Sequence, residues 1–197
     1  MPTVVVPFRG SEGKSRLARL PPEARAALRE AMLADVLAAC EAVGTTYLVT
    51  SAVRPPGRAL LVADDDRGQG AAVAAGLDYA VLAGAPAPFL VVNADLPCVT
   101  PRDLLALAGA IPDSGLALAA ALDGTTNALA FSSRELYSAL YGPGSAARFA
   151  ALAPSRTLAA PNLVDDVDTV EDLERLRGRL GPATRRALTR LHAGAAA

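Results

Sequence analysis

The sequence predicts an α/β protein with a mostly parallel sheet flanked by helices. Short β-branched or apolar runs alternate with longer windows of helical periodicity along the whole chain. Several of the short runs are apolar throughout, which is typical of strands buried on both faces of a sheet. With 197 residues, of which 52% are hydrophobic, the chain can bury a sizeable core. We therefore expect one domain over residues 1–197.

The first strand is predicted over residues 3–6, a valine-rich run that Pro7 stops. A long helix is predicted over residues 21–43, where Leu28, Met32 and Val36 recur at a spacing of four. Further strands are predicted at 47–50, 60–63, 89–92, 116–121, 128–131 and 158–163. Further helices are predicted at 69–82, 101–110, 134–140, 145–152, 170–179 and 182–192. The last of them belongs to a helical, partly frayed tail over 181–197.

Charge and composition narrow the classes of function. The 19 basic and 20 acidic residues are spread along the chain and give a net charge of −1. The protein therefore has no strong electrostatic field that would attract nucleic acid or a membrane surface. A small-molecule partner is the better expectation. Cys40 and Cys98 provide neither a disulfide framework nor metal-ligand spacing, and we expect two buried free thiols. No apolar run is long enough to span a bilayer, which predicts a cytoplasmic protein.

A basic loop follows the first predicted strand, at the edge where parallel α/β sheets bind ligands. It carries Arg9, Arg16 and Lys14, the only lysine of the chain. Glycine-rich turns expose backbone amides, and cationic side chains add donors for phosphate oxygens. Gly13-Lys14-Ser15 matches the end of a P-loop, but the preceding glycine spacing is absent. A phosphate-binding loop and a solvated basic loop both remain open from these residues alone.

Asp95 is the stronger candidate for a functional residue. It follows an apolar run, where a carboxylate is costly to desolvate unless it holds a cation or accepts hydrogen bonds. Thr100 already serves as the predicted cap of the next helix, which favours a Mg²⁺ ligand at Asp95. Asp166 and Asp168 lie in a later acidic turn and would supply further oxygens. Alternatively, Asp168 or Thr169 caps the helix that follows.

Six segments in order resemble the guanylyltransferases of deazaflavin coenzyme (F-420) biosynthesis, which act on 2-phospho-L-lactate or phosphoenolpyruvate. The segments are the valine-rich strand (3–6), Lys-Ser-Arg-Leu-Ala (14–18), Asn-Ala-Asp-Leu-Pro (93–97), Gly-Thr-Thr-Asn-Ala-Leu (124–129), Tyr-Gly-Pro-Gly-Ser (141–145) and Asp-Val-Asp-Thr (166–169). The similarity runs from residue 4 to about residue 176. It implies a fold like that of nucleotide-diphospho-sugar transferases (GT-A-like).

The resemblance implies transfer of GMP from GTP to the phosphate of a three-carbon phosphoacid, with release of pyrophosphate. It implies that Arg9, Lys14 and Arg16 hold the triphosphate, with Lys14 at the transition state. Asp95 and Asp168 would bind Mg²⁺, with Asp166 nearby. The guanine pocket would be formed by Ser51, Ala52, Gln69 and Gly70. The acceptor would be held by Thr126, Gly142 and Ser145, and the Thr125 hydroxyl and the exposed amides of residues 142–145 are suited to assist.

Three points stay open at this stage. The sequence does not choose among phosphoenolpyruvate, 2-phospho-L-lactate and 3-phosphoglycerate as acceptor, nor between a monomer and a homodimer. A molybdenum-cofactor type of nucleotidyltransferase is a competing enzyme, although its opening Leu-x-Gly-Gly loop is absent. A catalytically silent nucleotide-binding regulator is the alternative of another class.

Overall fold

A computed structural model describes residues 1–9, 17, 20–51 and 57–195 of the chain. One seven-stranded sheet has the order β3-β2-β1-β4-β6-β5-β7, and β6 alone runs against the other six strands, which confirms the mostly parallel sheet. The strands are β1 (Thr3–Pro7), β2 (Thr45–Thr50), β3 (Leu60–Ala63), β4 (Phe89–Val92), β5 (Leu116–Ala120), β6 (Thr126–Phe131) and β7 (Ser155–Thr157).

Helices cover both faces of this sheet. They are α1 (Pro22–Glu41), α2 (Gln69–Leu82), α3 (Pro101–Gly109), α4 (Ser145–Ala150), α5 (Pro161–Val164), α6 (Val170–Arg175) and α7 (Pro182–Ala195). Thr100 caps α3 by accepting from the backbone N–H of Asp103, and Pro101 occupies the first turn, as the sequence predicts. No helix among the described residues is both long and apolar enough to cross a membrane.

The core has two layers because the central strands are buried on both faces. Val4 and Val6 of β1 pack against α1 and α3, whereas Val5 faces α2. This explains why three consecutive valines are all fully buried. Gly76 lets α2 approach the sheet closely, because a Cβ there would overlap the side chains of Val5 and Val49.

A third apolar cluster joins α1 to the last two helices. Leu28 and Met32 of α1 contact Leu173, Leu176 and Leu188, which belong to the C-terminal segment. The helix predicted over 182–192 is confirmed as α7 (Pro182–Ala195), which packs on α1. The single histidine, His192, lies on this helix and contacts Glu174 at 2.9 Å.

Two further predicted elements differ from the structure. The last strand is Ser155–Thr157 instead of 158–163, because Pro161 begins the short helix α5 and fixes a helical φ there. All three residues of the real strand are exposed, so it lacks the apolar signature of a buried strand. The helix predicted at 134–140 is a single 3₁₀ turn, Arg134–Leu136. Cys40 and Cys98 are buried free thiols, as expected.

Candidate active site

A cleft of about 290 Å³ lies where the carboxyl ends of the parallel strands meet. This is the edge at which parallel α/β sheets bind ligands. The residues that follow β1, β3 and β4 line it, together with side chains from α1, α2 and the acidic turn before α6. Its polar lining consists of Arg9, Arg29, Asp64, Gln69, Asn93, Asp95 and Asp168. Asp95, Asp168, Arg9 and Gln69 of the predicted site are thus brought together.

Asp95 carries the most perturbed carboxylate of the cleft. The four residues of β4 are buried, and the chain then turns through Asn93 and Ala94 to bring Asp95 to the cleft. Its Oδ1 is buried and has no hydrogen-bond partner among the described residues. Burial, with help from the charges of Asp166 and Asp168, raises the pKa of Asp95 to about 7, although Arg29 opposes the shift.

One backbone hydrogen bond fixes the acidic turn beside Asp95. The N–H of Val167 donates to the carbonyl oxygen of Asp95 at 3.0 Å, so Asp166 and Asp168 flank that point. Asp168 lines the cleft, and burial first, then the Asp168 charge, raises the pKa of Asp166. The carboxylates of two distant segments therefore converge, as the sequence predicts.

The cap of α6 is Thr169, so Asp168 does not cap this helix. The Thr169 hydroxyl accepts from the N–H of Asp172, and the Asp172 carboxylate accepts from the N–H of Thr169. Of the two capping residues that the sequence leaves open, the structure thus uses Thr169. Asp168 keeps its place in the lining of the cleft.

These carboxylates fit a hard divalent cation that takes its remaining ligands from a bound substrate. No group of three or more His, Cys, Asp or Glu side chains within the described part of the chain is arranged to hold an ion alone. Mg²⁺ is commonly bound by one or two carboxylates together with phosphate oxygens, and it needs no complete protein cage. The buried Oδ1 of Asp95, beside two further carboxylates, matches that incomplete kind of site.

The structure describes only some of the residues that the sequence predicts to bind the nucleotide. Gln69 donates through Nε2 to Oδ1 of Asn93 at 2.8 Å, and the carbonyl of Gly70 accepts from the Tyr137 hydroxyl at 2.8 Å. The Ser51 hydroxyl reaches Oδ1 of Asp66 at 3.4 Å, near the end of β3. Lys14, Arg16 and Ala52 lie outside the described residues.

The predicted acceptor side lies at the start of β6. The hydroxyls of Thr126 and Ser145 are 2.9 Å apart and fully buried, so the structure brings them together. Thr125 instead donates its hydroxyl to Asp123. Gly142 adopts a φ of 111°, a conformation that favours glycine.

The expectation that residues 142–145 expose their backbone amides is wrong for Ser145. The amide of Ser145 is not exposed, because it donates to the carbonyl of Gly142 at 3.0 Å, and the next amide, of Ala146, donates to Gly124 at 3.2 Å. These bonds close the loop onto the β5–β6 turn. The amides of residues 145 and 146 are therefore already satisfied within the protein.

Sequence reasoning missed four residues of the site. Asn93 links Gln69 of the cleft to the start of β6, because it accepts from Gln69 and donates through Nδ2 to the Thr126 carbonyl at 3.1 Å. Asn127 is buried, donates to the carbonyls of Leu163 and Val164, and so positions the chain just before the acidic turn. Both asparagines stand inside the quoted motifs, which was the available signal.

The other two residues of the site that sequence reasoning missed are Asp64 and Arg29. Asp64 follows β3 and is buried, and its Oδ2 has no hydrogen-bond partner among the described residues. Its place after a short apolar strand was the signal in the sequence. Arg29 lies on α1, where the pattern around it gives no sign of a role.

The chain is similar in sequence to known nucleotidyltransferases. The sequence profile of the MobA-like NTP transferase domain matches residues 17–161. The phosphoenolpyruvate guanylyltransferase of Sphaerobacter thermophilus is 38% identical over 192 residues, which cover 88% of this chain and 91% of that protein. The 2-phospho-L-lactate guanylyltransferase of Natrialba magadii is 39% identical over 148 residues, which cover 64% of this chain and 60% of that protein.

Solved structures support the fold. A Desulfovibrio desulfuricans protein assigned as a nucleotide-diphospho-sugar transferase superposes with a TM-score of 0.70 at 13% identity, covering 98% of this chain and 95% of that protein. At this level of identity the likeness concerns the fold alone. It confirms the architecture that the sequence motifs imply.

Proposed function

The chain belongs to the phosphoenolpyruvate and 2-phospho-L-lactate guanylyltransferase family, and on that basis we propose that it joins GMP from GTP to the phosphate of phosphoenolpyruvate or 2-phospho-L-lactate. A phosphate oxygen of the acceptor attacks the α-phosphorus of GTP. The bond between the α-phosphorus and its bridging oxygen to the β-phosphate breaks, and pyrophosphate leaves. The product is a diphosphate diester, which the deazaflavin coenzyme pathway implied by the sequence resemblance would consume.

This reaction requires little acid–base chemistry from the protein. The attacking phosphate oxygen is already ionised at neutral pH, so neither a general base nor a covalent nucleophile is needed. The difficulty is that one polyanion attacks another, which positioning and charge neutralisation overcome. A cleft lined by both cationic side chains and converging carboxylates supplies the means for both.

Asp95 and Asp168 would hold a divalent cation, proposed to be Mg²⁺, with Asp166 beside them. Such an ion, when bound, neutralises charge on the reacting phosphates. Arg9 lies at the start of the loop after β1, beside Gly68 at the N-terminus of α2. With Lys14 and Arg16 from the same loop, Arg9 would bind the triphosphate. Thr126, Gly142 and Ser145 would orient the acceptor from the β6 side.

The observation that carries this proposal is the convergence at Asp95. A carboxylate with a buried, unpartnered oxygen and a pKa of about 7 is an unfavourable feature of a protein that binds nothing there. Val167 ties the acidic turn to the same point through its backbone. A cation shared with a triphosphate removes both the repulsion and the missing contact.

The test is pyrophosphate release from GTP and Mg²⁺ with each of three acceptors. We expect release with phosphoenolpyruvate or 2-phospho-L-lactate, with 3-phosphoglycerate as the third candidate. Omission of the acceptor is the control, because simple GTP hydrolysis would persist there. Absence of release with all three acceptors would contradict an enzyme and favour a silent nucleotide-binding protein.

A further inference from the structure

Arg29 is a charged side chain of the cleft to which neither sequence motifs nor the proposed mechanism assign a role. It lies on α1 between Leu28 and Met32, and it lines the cleft together with Asp95 and Asp168. Leu28 and Met32 are buried in the cluster that joins α1 to α6 and α7. The backbone that carries Arg29 is therefore held on a well-packed helix.

The two terminal nitrogens of Arg29 have different surroundings. Nη2 donates to the backbone carbonyl of Arg9 at 2.8 Å. Nη1 is buried and has no hydrogen-bond partner among the described residues. A guanidinium carries its charge at every ordinary pH, so a buried N–H of this group is left without an acceptor. Native proteins rarely leave such a donor unmatched unless a ligand completes the contact.

The electrostatics of the cleft point to an anionic ligand. Burial lowers the pKa of Arg29, and the charge of Asp95 opposes this shift, so the two groups sense each other across the cleft. The Arg29 guanidinium nevertheless donates to a backbone carbonyl, and Oδ1 of Asp95 has no hydrogen-bond partner among the described residues. A cation on the carboxylates and an anion on Arg29 would match both groups at once.

We propose that Nη1 of Arg29 donates a hydrogen bond to the triphosphate of the bound nucleotide. This inference rests on the proposed function, because it takes GTP as the nucleotide. The position of Arg29 favours the nucleotide over the acceptor. Its anchor is Arg9, at the start of the loop after β1, whereas Thr126 and Ser145 lie on the β6 side of the sheet. Guanidinium groups suit phosphate oxygens because they donate in a rigid plane.

The experiment measures equilibrium binding of GTP, GMP and guanosine in the presence of Mg²⁺, without acceptor. Arg29→Met removes the charge but keeps an unbranched apolar stem. We expect it to weaken GTP binding about 10- to 100-fold, the range of a charge-assisted hydrogen bond, and to leave guanosine binding unchanged. Arg29→Lys keeps the charge without the planar donors, and its loss should be smaller. Arg186→Met, an exposed arginine of α7, is the matched control and should bind GTP as the wild type does.

Kinetics separates a binding role from a structural one. Arg29→Met should raise KM for GTP and leave KM for the acceptor unchanged, with circular dichroism and Tm like those of the wild type. GTP affinity within twofold of wild type in a folded Arg29→Met protein would overturn the inference. If Arg29→Met does not fold, GTP binding by Arg29→Lys equal to that of the wild type would overturn it as well.

The inference and the proposed function fail in different ways. A wild type that binds GTP but releases no pyrophosphate with any acceptor contradicts the proposed function, while weaker GTP binding by Arg29→Met still supports the role of Arg29. A wild type that turns over normally beside an Arg29→Met protein with unchanged GTP binding contradicts the role of Arg29 alone. A wild type that binds no GTP overturns both.

Discussion

Asp95 is the residue on which the proposed chemistry depends most directly. Asp95→Asn keeps the volume of the side chain but replaces one carboxylate oxygen by an amide that binds cations poorly. We expect turnover to fall about 1,000-fold or more, because a metal ion contributes several kcal/mol to stabilising charge in such transition states. The measurement is pyrophosphate release, with circular dichroism to verify folding.

Asp113→Asn is the matched control for Asp95→Asn. Asp113 is exposed and stands just before β5, whose direction places its amino end at the edge opposite the cleft. This variant should retain wild-type turnover. Near-normal activity of Asp95→Asn would exclude a metal role for Asp95.

Residues within the motifs could be read from the sequence more readily than residues outside them. Asp95 was predicted because it follows an apolar strand, and Asp168 because it lies in an acidic turn that could supply further oxygens to the same ion. Arg29 was not, because its role depends on the rotation of α1 against the loop after β1, which no local pattern fixes. Asp64 follows a predicted strand, but no motif around it assigns it a role.

At the scale of elements, α7 depends on a cap supplied by a distant helix. Asp35 of α1 is buried, and its two carboxylate oxygens accept from the backbone amides of Ala183 at 2.9 Å and Thr184 at 2.7 Å. Asp35→Ala leaves two helix N-terminal amides without this acceptor. We expect the free energy of unfolding to fall by about 1–3 kcal/mol, measured by urea denaturation.

Asp35→Asn separates capping from packing. It retains one acceptor oxygen and nearly the same volume, so its loss should be smaller than that of Asp35→Ala. Equal stability of Asp35→Ala and the wild type would contradict the capping role. Turnover measured well below the unfolding transition should change little in either variant, because Asp35 does not line the cleft.

The acidic turn is held by a second set of contacts, and these depend on pH. Burial tends to raise the pKa of Asp165, but hydrogen bonds from Arg179 and Arg175 outweigh it and hold the pKa below its usual value. A carboxyl with a depressed pKa in the folded state stabilises the protein above its unfolded pKa of about 4 and loses that effect as pH falls through the folded value. These ion pairs are thus an acid-sensitive clamp on residues 165–179.

Removing the two arginines should therefore matter at neutral pH and not at low pH. We expect the double variant Arg175→Gln/Arg179→Gln to be about 1 kcal/mol less stable at pH 7, because both arginines are partly exposed. The difference from the wild type should shrink below about pH 4. Urea denaturation across pH 3 to 7 measures it, and a difference that is constant over this range would contradict the clamp.

Elements were predictable in proportion to their apolar signal. The strands β1, β3 and β4 and the helix α2 were anticipated nearly to the residue. The three strands are predominantly apolar, although only β1 and β4 are buried on both faces, whereas most of β3 is exposed. The exposed strand Ser155–Thr157 has no such signal, since its place at the edge of the sheet is set by pairing with β5. Pairing with a strand distant in sequence determines where this strand forms, and no local sequence pattern encodes that pairing.

At the scale of the whole molecule, the alternation of strands and helices was enough to predict the architecture, whereas the motifs were needed to predict the chemistry. The reversed strand β6 shows the difference. It brings Thr126 and Asn127 to the same edge as the ends of β1 and β4, where the Thr126 carbonyl accepts from Asn93 of the cleft, although Thr126 itself is buried and does not line the cleft. No periodicity in residues 126–131 indicates that direction.

Because the cleft joins segments from both ends of the chain, substrate binding should stabilise the protein as a whole. A ligand at 100 times its Kd adds about 2.7 kcal/mol to the free energy of unfolding, which corresponds to a rise in Tm of about 5–10 °C for a chain of this size. We expect GTP with Mg²⁺ to produce such a rise in a thermal denaturation scan. GTP with EDTA should produce a smaller one, because the carboxylates then repel the phosphates.

The Asp95→Asn protein tests where that stabilisation arises. If Asp95 shares a cation with the triphosphate, this variant should lose most of the difference between Mg²⁺ and EDTA, yet retain the part of the shift due to the cationic side chains. Asp113→Asn should behave as the wild type. An undiminished Mg²⁺-dependent shift in Asp95→Asn would show that the cation does not bind at Asp95, because the ion would then stabilise the bound nucleotide without that carboxylate.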